Sequence, residues 1–321
     1  KLNNQVAELD VATSENSIQE SIAQIYIQIL YAAESVRVNE NTLQVSIAQR
    51  DRGQELLNAG SIAKSDFAQL EAQVSTDRYQ LVTAQATLQD YKLQLKQLLE
   101  LDGENEMNIY LPALSDENVL SPLPAKRDVY VSALALRPEI EASKLNVNAS
   151  ELGIDIAKSG YLPTVSLSAG IGTNHTSGSD FTFSEQVKNG WNNSIGLSVS
   201  VPIFNNRQTK SAVQKAKLQY ETSMLSLLDE QKALYKTIEG LWLDANSAQQ
   251  RYAAANEKLK STQISYNLIS EQFNLGMKNT VELLTEKNNL LQAQQEQLQA
   301  KYMAILNTQL LKFYQGDKLA L

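Results

Sequence analysis

The stretch that decides the fold lies at residues 194–203 and reads SIGLSVSVPI. Aliphatic side chains alternate there with serine, glycine and proline, so an extended chain would have one apolar face and one small polar face. Residues 163–172 show the same alternation in PTVSLSAGIG. We predict two strands whose aliphatic face comprises Val165, Leu167, Ala169, Ile171, Ile195, Leu197, Val199 and Val201.

The lengths and surroundings of these two strands favour a membrane. Each has the ~9 to 11 residues that a tilted membrane-spanning strand requires. Tyr161 and Phe204 lie at one end of the pair and Trp191 at the other, as expected for aromatic residues at membrane interfaces. The polar loop 174–193 between the strands suits an exposed hairpin tip. Two strands cannot pair their own outer edges inside lipid, so we expect other copies of the chain to complete a barrel.

Both flanks of this segment predict long helices. All six prolines lie between Pro112 and Pro202, which leaves residues 1–111 and 203–321 free of proline. Within these flanks apolar residues recur every seven positions, which is the spacing of left-handed coiled coils. The seams comprise Phe67, Val74, Leu81, Leu88 and Leu95, then Leu70, Ala84, Tyr91 and Leu98, and in the last flank Leu284, Leu291, Leu298 and Ile305.

An internal repeat relates the two flanks at an offset of 216 residues. The offset places LNAG at residues 57–60 on FNLG at residues 273–276, and Tyr26 on Trp242. The final glycine of each segment predicts the end of a long helix at a tight hairpin turn. The first repeat has no counterpart of residues 160–216, either because that part is absent from this chain or because the repeat is imperfect there.

Several motifs stand out along the chain, namely LPTVSLS at residues 162–168, LSVSVPIF at 197–204, LRPEI at 136–140 and the two glycine turns. Together they resemble the TolC family of outer-membrane factors, and the resemblance implies that this chain lacks the family's N-terminal part and first β-hairpin. The resemblance covers nearly the whole chain and implies a homotrimer in the cell outer membrane, whose strands close a β-barrel in lipid and whose helices form an α-barrel across the periplasm. It also implies a passive exit duct for a tripartite efflux or type I secretion system, with a periplasmic adaptor and an inner-membrane pump as partners.

Together these patterns predict a mainly α fold with a small β part, in which long antiparallel coiled-coil helical hairpins accompany a transmembrane β-hairpin that contributes to an oligomeric β-barrel. The predicted segments are a first helical hairpin at 1–101, an irregular equatorial region at 102–137, a helix stacked on the first hairpin at 138–160, a membrane β-hairpin at 161–204, and a second helical hairpin with a C-terminal equatorial segment at 205–321. We expect no cofactor and no metal in this architecture.

The resemblance implies two roles for the tips of the helical hairpins. In the family the tunnel closes there as an iris, and Asp66, Lys278 and Glu282 match positions of this gate. Phe273 and Thr285 depart from the family pattern, which can carry a tyrosine and a second acid at these places. The turns on which family adaptors dock match Ala59, Gly60, Ser61, Leu275, Gly276 and Met277. A second interpretation of the two acids stays open, because an acid in the first turn of a helix also caps it.

Composition and motifs weigh against other functions. The chain lacks cysteine, His175 is its single histidine, and neither a P-loop nor a glycine-rich dinucleotide motif is present, so an enzyme is disfavoured. Only 28 Lys and Arg stand against 36 Asp and Glu, which disfavours nucleic-acid binding. A flagellin-like coiled-coil filament protein and a periplasmic adaptor are the alternatives. The aliphatic-faced strands argue against the first, and the presence of two helical hairpins argues against the second.

Overall fold

The computed structural model describes residues 1–101, 109–110, 112 and 119–319. Helices dominate these residues and two strands form the β part, in agreement with the predicted mainly α fold. The elements are α1 Leu2–Asn58, α2 Lys64–Leu98, α3 Lys126–Leu136, α4 Pro138–Ser159, β1 Thr164–Gly172, α5 Phe183–Asn189, β2 Asn192–Ser200, α6 Gln208–Asn274 and α7 Thr280–Gln315. Among the helices in these ranges, none offers an apolar stretch sufficient to traverse a bilayer.

The two helical hairpins, α1 with α2 and α6 with α7, turn through the same backbone arrangement. Gly60 follows α1 with φ +75°, its N–H donates to the Leu57 carbonyl (2.9 Å), and the Ser61 N–H donates to the Leu56 carbonyl (2.8 Å). This is a Schellman turn, which needs a left-handed residue that glycine supplies without steric cost. The equivalent bonds recur 216 residues later around Gly276, whose φ is +74°. The repeat inferred from the sequence therefore extends to individual backbone hydrogen bonds.

The repeat also includes two half-buried aromatic residues that hold the connection after α2. Tyr26 of α1 donates a hydrogen bond from its hydroxyl to the Tyr110 carbonyl (2.7 Å). Trp242 of α6, at the equivalent position of the second repeat, donates from its indole N–H to the Pro124 carbonyl (3.1 Å). Tyr26 and Trp242, which are equivalent in the two repeats, thus each bind a different part of the segment that joins α2 to α3.

The chain divides into two compact units, one formed by residues 8–141 and 231–321 and the other by residues 1–7 and 142–230. In the first unit, α1, α6 and α7 enclose an apolar cluster around the fully buried Tyr252. A second cluster in the same unit joins α3 and the start of α4 to α6 and the end of α7. Both apolar clusters therefore lie within the first unit.

The predicted heptad seams lie on the inner side of the helices. Leu70, Val74, Leu95, Leu298 and Ile305 are buried, and the remaining seam residues are half-buried. Long helices of this kind gain most of their stability from burying such a seam rather than from intrinsic helix propensity. The seven-residue spacing therefore indicated the packed side of α2 and α7, although in the first half of α7 Leu283 and Leu290 are more deeply buried than the adjacent seam residues Leu284 and Leu291.

A helix occupies part of the region predicted to be irregular. Within residues 102–137, α3 is helical, and its Val129 and Ala133 have no exposed surface and share an apolar cluster with Ile140 of α4. The prediction is wrong for this stretch, because the closely spaced prolines end at Pro124 and apolar residues at i and i+4 then give the chain a core-facing helical side. Most of the remaining predicted irregular region lies outside the described residues.

In the second unit, β1 and β2 form an antiparallel hairpin in which aliphatic residues lie opposite one another. Leu167 pairs with Leu197, and on the other face Ser166 pairs with Ser198. Val165 with Val199 and Ala169 with Ile195 complete the aliphatic pairs. The sheet has two strands in the described residues, so each strand has one edge without a hydrogen-bonded neighbour.

Two details of the hairpin differ from the sequence-based expectation. β2 spans Asn192–Ser200 rather than residues 194–203, so Val201 lies just beyond the strand. Pro202 has no N–H to donate to a sheet ladder, which explains the earlier end. The polar loop also contains the short helix α5, which begins with a capping box at Thr182 and which hydrophobic periodicity did not reveal.

Candidate functional site

The aliphatic face of the β-hairpin is exposed along its whole length. The exposed fractions are 75% for Leu167, 84% for Ile195 and 70% for Leu197, and every other predicted member of the face is exposed as well. The opposite face carries threonine, serine and glycine, with pairs such as Ser166 and Ser198, and Asn192 at the start of β2. A contiguous exposed apolar surface marks contact with lipid or with another protein. The hairpin is therefore suited to the boundary between an apolar and an aqueous phase.

Exposed aromatic side chains lie at both ends of the hairpin. Tyr161 and Phe204 flank the end at which β1 begins and β2 finishes, and Trp191 immediately precedes β2 at the other end. Aromatic rings are enriched where a strand passes from the hydrocarbon layer to the headgroups. The aromatic residues therefore lie at the ends predicted from the sequence, and their role as interfacial girdles stays a prediction.

At the tip of the first helical hairpin, Asp66 caps the start of α2. Its Oδ2 accepts a hydrogen bond from the Ala63 N–H (3.3 Å), and Ala63 has no side-chain oxygen with which to cap the helix itself. An acid in the first helical turn also interacts favourably with the helix dipole. These contacts favour the capping interpretation of Asp66, and its gate role stays a prediction.

At the tip of the second helical hairpin, Glu282 makes both capping bonds and an ion pair. Its Oε2 accepts from the Asn279 N–H (3.1 Å), and its own N–H donates to Asn279 Oδ1 (2.9 Å). Lys278 Nζ donates to Glu282 Oε1 (2.5 Å). The Lys278 bond, followed by the Asn279 N–H bond, lowers the pKa of Glu282 below its ordinary 4.5. The carboxylate is therefore ionised at neutral pH, and the structure brings Lys278 and Glu282 together within one turn.

The predicted docking turns are exposed above a packed base. The exposed residues are Ala59, Gly60, Ser61, Leu275, Gly276 and Met277. Leu275 and Met277 expose 73% and 64% of their surface, so the second turn displays large apolar side chains and the first turn small ones. Leu70, Phe273 and Leu283 are buried together and form what we call the tip cluster. Phe273, which departs from the family pattern, is thus a core residue.

Sequence reasoning missed the role of Arg137 in the LRPEI motif. Its side chain is 10% exposed and donates to Glu139 Oε1 (2.7 Å) and Glu20 Oε1 (3.1 Å). The guanidinium also lies 4.3 Å from the ring centroid of Tyr314. Burial raises the pKa of Tyr314 to about 12, so its hydroxyl stays protonated and donates to Glu20 (3.4 Å). The motif that carried the resemblance therefore ties α1 and α7 to the junction of α3 and α4.

A buried ion pair between Asp77 and Lys287 was also missed. The two side chains are 1% and 4% exposed, and Lys287 Nζ donates both to Asp77 Oδ2 and to Ser46 Oγ. We call Ser46, Asp77 and Lys287 the buried triad. A signal for it existed, because Asp77 stands seven residues after Leu70, at a position of the companion seam that is otherwise apolar.

Comparisons with curated proteins point to one kind of protein. The chain is 24% identical to the outer membrane efflux protein BepC of Brucella suis biovar 1 (strain 1330) over 294 residues, which cover 91% of this chain and 61% of BepC. It is also 24% identical to the outer membrane protein TolC of Escherichia coli (strain K12) over 316 residues, which cover 94% of this chain and 62% of TolC. The chain thus spans less than two thirds of the length of these relatives.

A solved structure and a family profile complete the comparison. The crystal structure of the outer membrane protein VceC from Vibrio cholerae has a TM-score of 0.76 at 18% identity, covering 98% of this chain and 74% of that one, which shows a common fold. The relatives are named as outer-membrane proteins, which locates this chain in the outer membrane. A profile of the outer membrane efflux protein family matches residues 129–316, more than half of the chain. From α3 through both strands to the end of α7, the chain therefore belongs to the outer membrane efflux protein family.

Proposed function

We propose that the chain is a subunit of a homotrimeric outer-membrane exit duct that conducts its cargo passively and is not an enzyme. The observation that carries this proposal is the two-faced β-hairpin. Its aliphatic face suits outer-membrane lipid, and its serine and glycine face suits a water-filled lumen. The named relatives are outer-membrane proteins, which supports a duct in that membrane.

Other copies of the chain are the proposed partners of the two free strand edges. Within lipid every backbone N–H and C=O needs a hydrogen-bond partner, and each strand of the described hairpin has one unpaired edge. Strands from sister subunits satisfy these edges and close the sheet into a barrel. The resemblance to the TolC family supports three copies as the proposed number.

The helical hairpin tips are the proposed contact with a periplasmic adaptor and, through it, with an inner-membrane pump. Leu275 and Met277 supply exposed apolar surface, and the tip cluster beneath them supplies a packed support. An exposed apolar patch on a firm base is what a docking protein requires. The pump provides the energy in this proposal, since the sequence contains no P-loop.

Asp66, Lys278 and Glu282 are the proposed gate residues at the same tips. Lys278 pairs with Glu282 of its own chain, and both side chains are partly exposed. Lys278 is therefore able to exchange this partner for an acid of a neighbouring subunit, such as Asp66. Exposed ion pairs are individually weak, so several of them are suited to a closed state that can still open.

Conductance measurements test the exit-duct proposal directly. Full-length protein reconstituted in planar bilayers is expected to give a cation-preferring conductance, because the chain carries a net charge of −8. The mass of the detergent-solubilised protein is expected to be that of three subunits. A water-soluble monomer without conductance would overturn the proposal.

The gate leads to a prediction of its own. Asp66→Ala combined with Lys278→Ala is expected to raise the conductance severalfold, because the double variant removes one charge from each hairpin tip. The matched control is Glu257→Ala with Lys260→Ala, which removes an exposed ion pair (2.8 Å) from α6 and should leave the current unchanged. An unchanged current in the tip variant would leave Asp66 with its capping role alone.

A further inference from the structure

We infer that Asp77 and Lys287 are positioning residues that hold the two helical hairpins in a single register, and thereby keep the hairpin tips level with one another. The link to the tips rests on the proposed function, whereas the register itself does not. The buried triad is the feature that carries the inference, because it joins α1, α2 and α7 at one point.

The hydrogen bonds of the triad leave little of Asp77 free. Its Oδ2 accepts from Lys287 Nζ and from Ser46 Oγ, and its Oδ1 accepts from Gln73 Nε2 (2.9 Å). The Lys287 ammonium donates to Asp77 and Ser46 on two different helices. A movement of α7 along α1 and α2 by one helical turn, about 5.4 Å, would break these bonds and leave both charges buried without partners.

Buried ion pairs are better suited to fixing register than to adding stability. Taking two charges out of water offsets most of their attraction, and apolar residues of similar size often stabilise a core as well or better. In coiled coils a single polar residue in an apolar seam selects one register among several that heptad repeats would otherwise permit. Asp77 occupies such a seam position, so α2 and α7 have one arrangement that satisfies it.

Comparison of the two repeats shows that the triad is unique to this contact. The positions 216 residues from Ser46 and Asp77 are Thr262 and Ala293, and the position 216 residues before Lys287 is Glu71. Ala293 is fully buried and Glu71 is exposed, so the transposed contact has no buried ion pair. If α7 packed against a helix of its own repeat type, where Ala293 replaces Asp77, Lys287 would be buried without a carboxylate partner. The triad therefore distinguishes two otherwise similar hairpins.

The triad lies close to the tips along both helices. Lys287 follows Glu282 by five residues on α7, which is about 7.5 Å of helix, and Asp77 follows Asp66 by eleven residues on α2. Two residues of the tip cluster lie between a turn and the triad in sequence, Leu70 before Asp77 on α2 and Leu283 before Lys287 on α7. The hairpins are thus joined by two successive layers, one apolar and one ionic, and the ionic layer is the one with a directional requirement.

Cross-linking is a clean test because the chain has no cysteine. Ser35 Oγ lies 3.3 Å from Gln295 Oε1, so Ser35→Cys with Gln295→Cys reports the native register of α1 against α7. Ser35→Cys with Gln292→Cys, or with Gln299→Cys, reports a shift of about one turn in either direction. In the full-length parent protein treated with a short thiol-specific cross-linker, which makes up for the shorter cysteine side chain at position 295, only the first pair is expected to be joined efficiently.

The decisive variant is Asp77→Leu with Lys287→Met, which leaves no buried charge and is expected to fold. In this variant we expect the selectivity to be lost, so that the shifted pairs cross-link as readily as the native pair. The charge-exchanged variant Asp77→Lys with Lys287→Asp is expected to restore selectivity. If the apolar variant keeps the single native cross-link, the register is set by packing alone and the inference is overturned.

A conductance measurement separates this inference from the proposed function. If the tips lose their alignment, the apolar variant should leak more current than the parent in planar bilayers. If cross-linking loses its selectivity but the current is unchanged, Asp77 and Lys287 set the register, and the proposed effect of that register on the hairpin tips is overturned. A parent protein that conducts nothing would overturn the proposed function, while the cross-linking result would stand by itself.

Discussion

Leu197→Arg is expected to prevent insertion of the full-length protein into lipid vesicles. Leu197 is 70% exposed and lies opposite Leu167 in the middle of the aliphatic face. An arginine on the lipid side of a membrane strand costs about 2 to 4 kcal/mol near the bilayer midplane, and in a homotrimer the cost recurs in every subunit. Insertion is measured as the fraction of protein that floats with vesicles and resists extraction at high pH.

The adjacent residue provides the control for this experiment. Ser198 pairs with Ser166 on the opposite face, which the proposal places toward the water-filled lumen. Ser198→Arg introduces the same side chain one residue away and is expected to leave insertion intact while changing ion selectivity. If both variants inserted equally well, the aliphatic face would not be in contact with lipid, and the two-faced hairpin would need another explanation.

Arg137→Ala is expected to lower the free energy of unfolding by about 3 kcal/mol, because it leaves two partly buried carboxylates without their cation. Glu20 and Glu139 lose charge-assisted bonds of 3.1 and 2.7 Å, and Tyr314 loses the guanidinium above its ring. Arg137→Lys should recover part of the loss, since an ammonium cannot bind both acids and the ring as a planar guanidinium does. Denaturant unfolding followed by circular dichroism measures both effects.

Arg37 offers a matched control for Arg137. It pairs with Glu34 in the same helix, and its side chain is 69% exposed. Exposed pairs of this kind contribute little, so Arg37→Ala should leave the unfolding midpoint almost unchanged. Equal effects of the two alanine variants would mean that the Arg137 contacts do not stabilise the junction of α3 and α4.

Much of the fold could be predicted because local patterns specify it. Glycine at positions 60 and 276 requires no tertiary information to end a helix, and the period-two alternation around Leu197 defines a strand with two faces. The heptad spacing identified the packed side of α2 and α7. Each of these patterns lies in residues that are close together in sequence, so it can be recognised without the three-dimensional structure.

Other features could not be predicted because they depend on which helices meet. The seam containing Leu70 indicates burial at position 77, but nothing local to Lys287 indicates that this lysine is buried or that it touches Asp77. The contacts of Arg137 likewise join residues more than a hundred positions apart. The proposed gate depends on contacts between subunits, which the sequence of one chain does not specify. Within this chain the bonds of Asp66 and Glu282 stay within single turns.

The backbone geometry of the two Schellman turns allows their amino-acid sequences to differ. Both turns are closed by main-chain hydrogen bonds, so the side chains at positions 59, 61, 275 and 277 take no part in holding them. Point substitutions there alter what each end displays to a binding protein without altering its shape. Substitutions can therefore change the surface of one turn independently of the other. The two turns already differ in this way, because one carries alanine and serine and the other leucine and methionine.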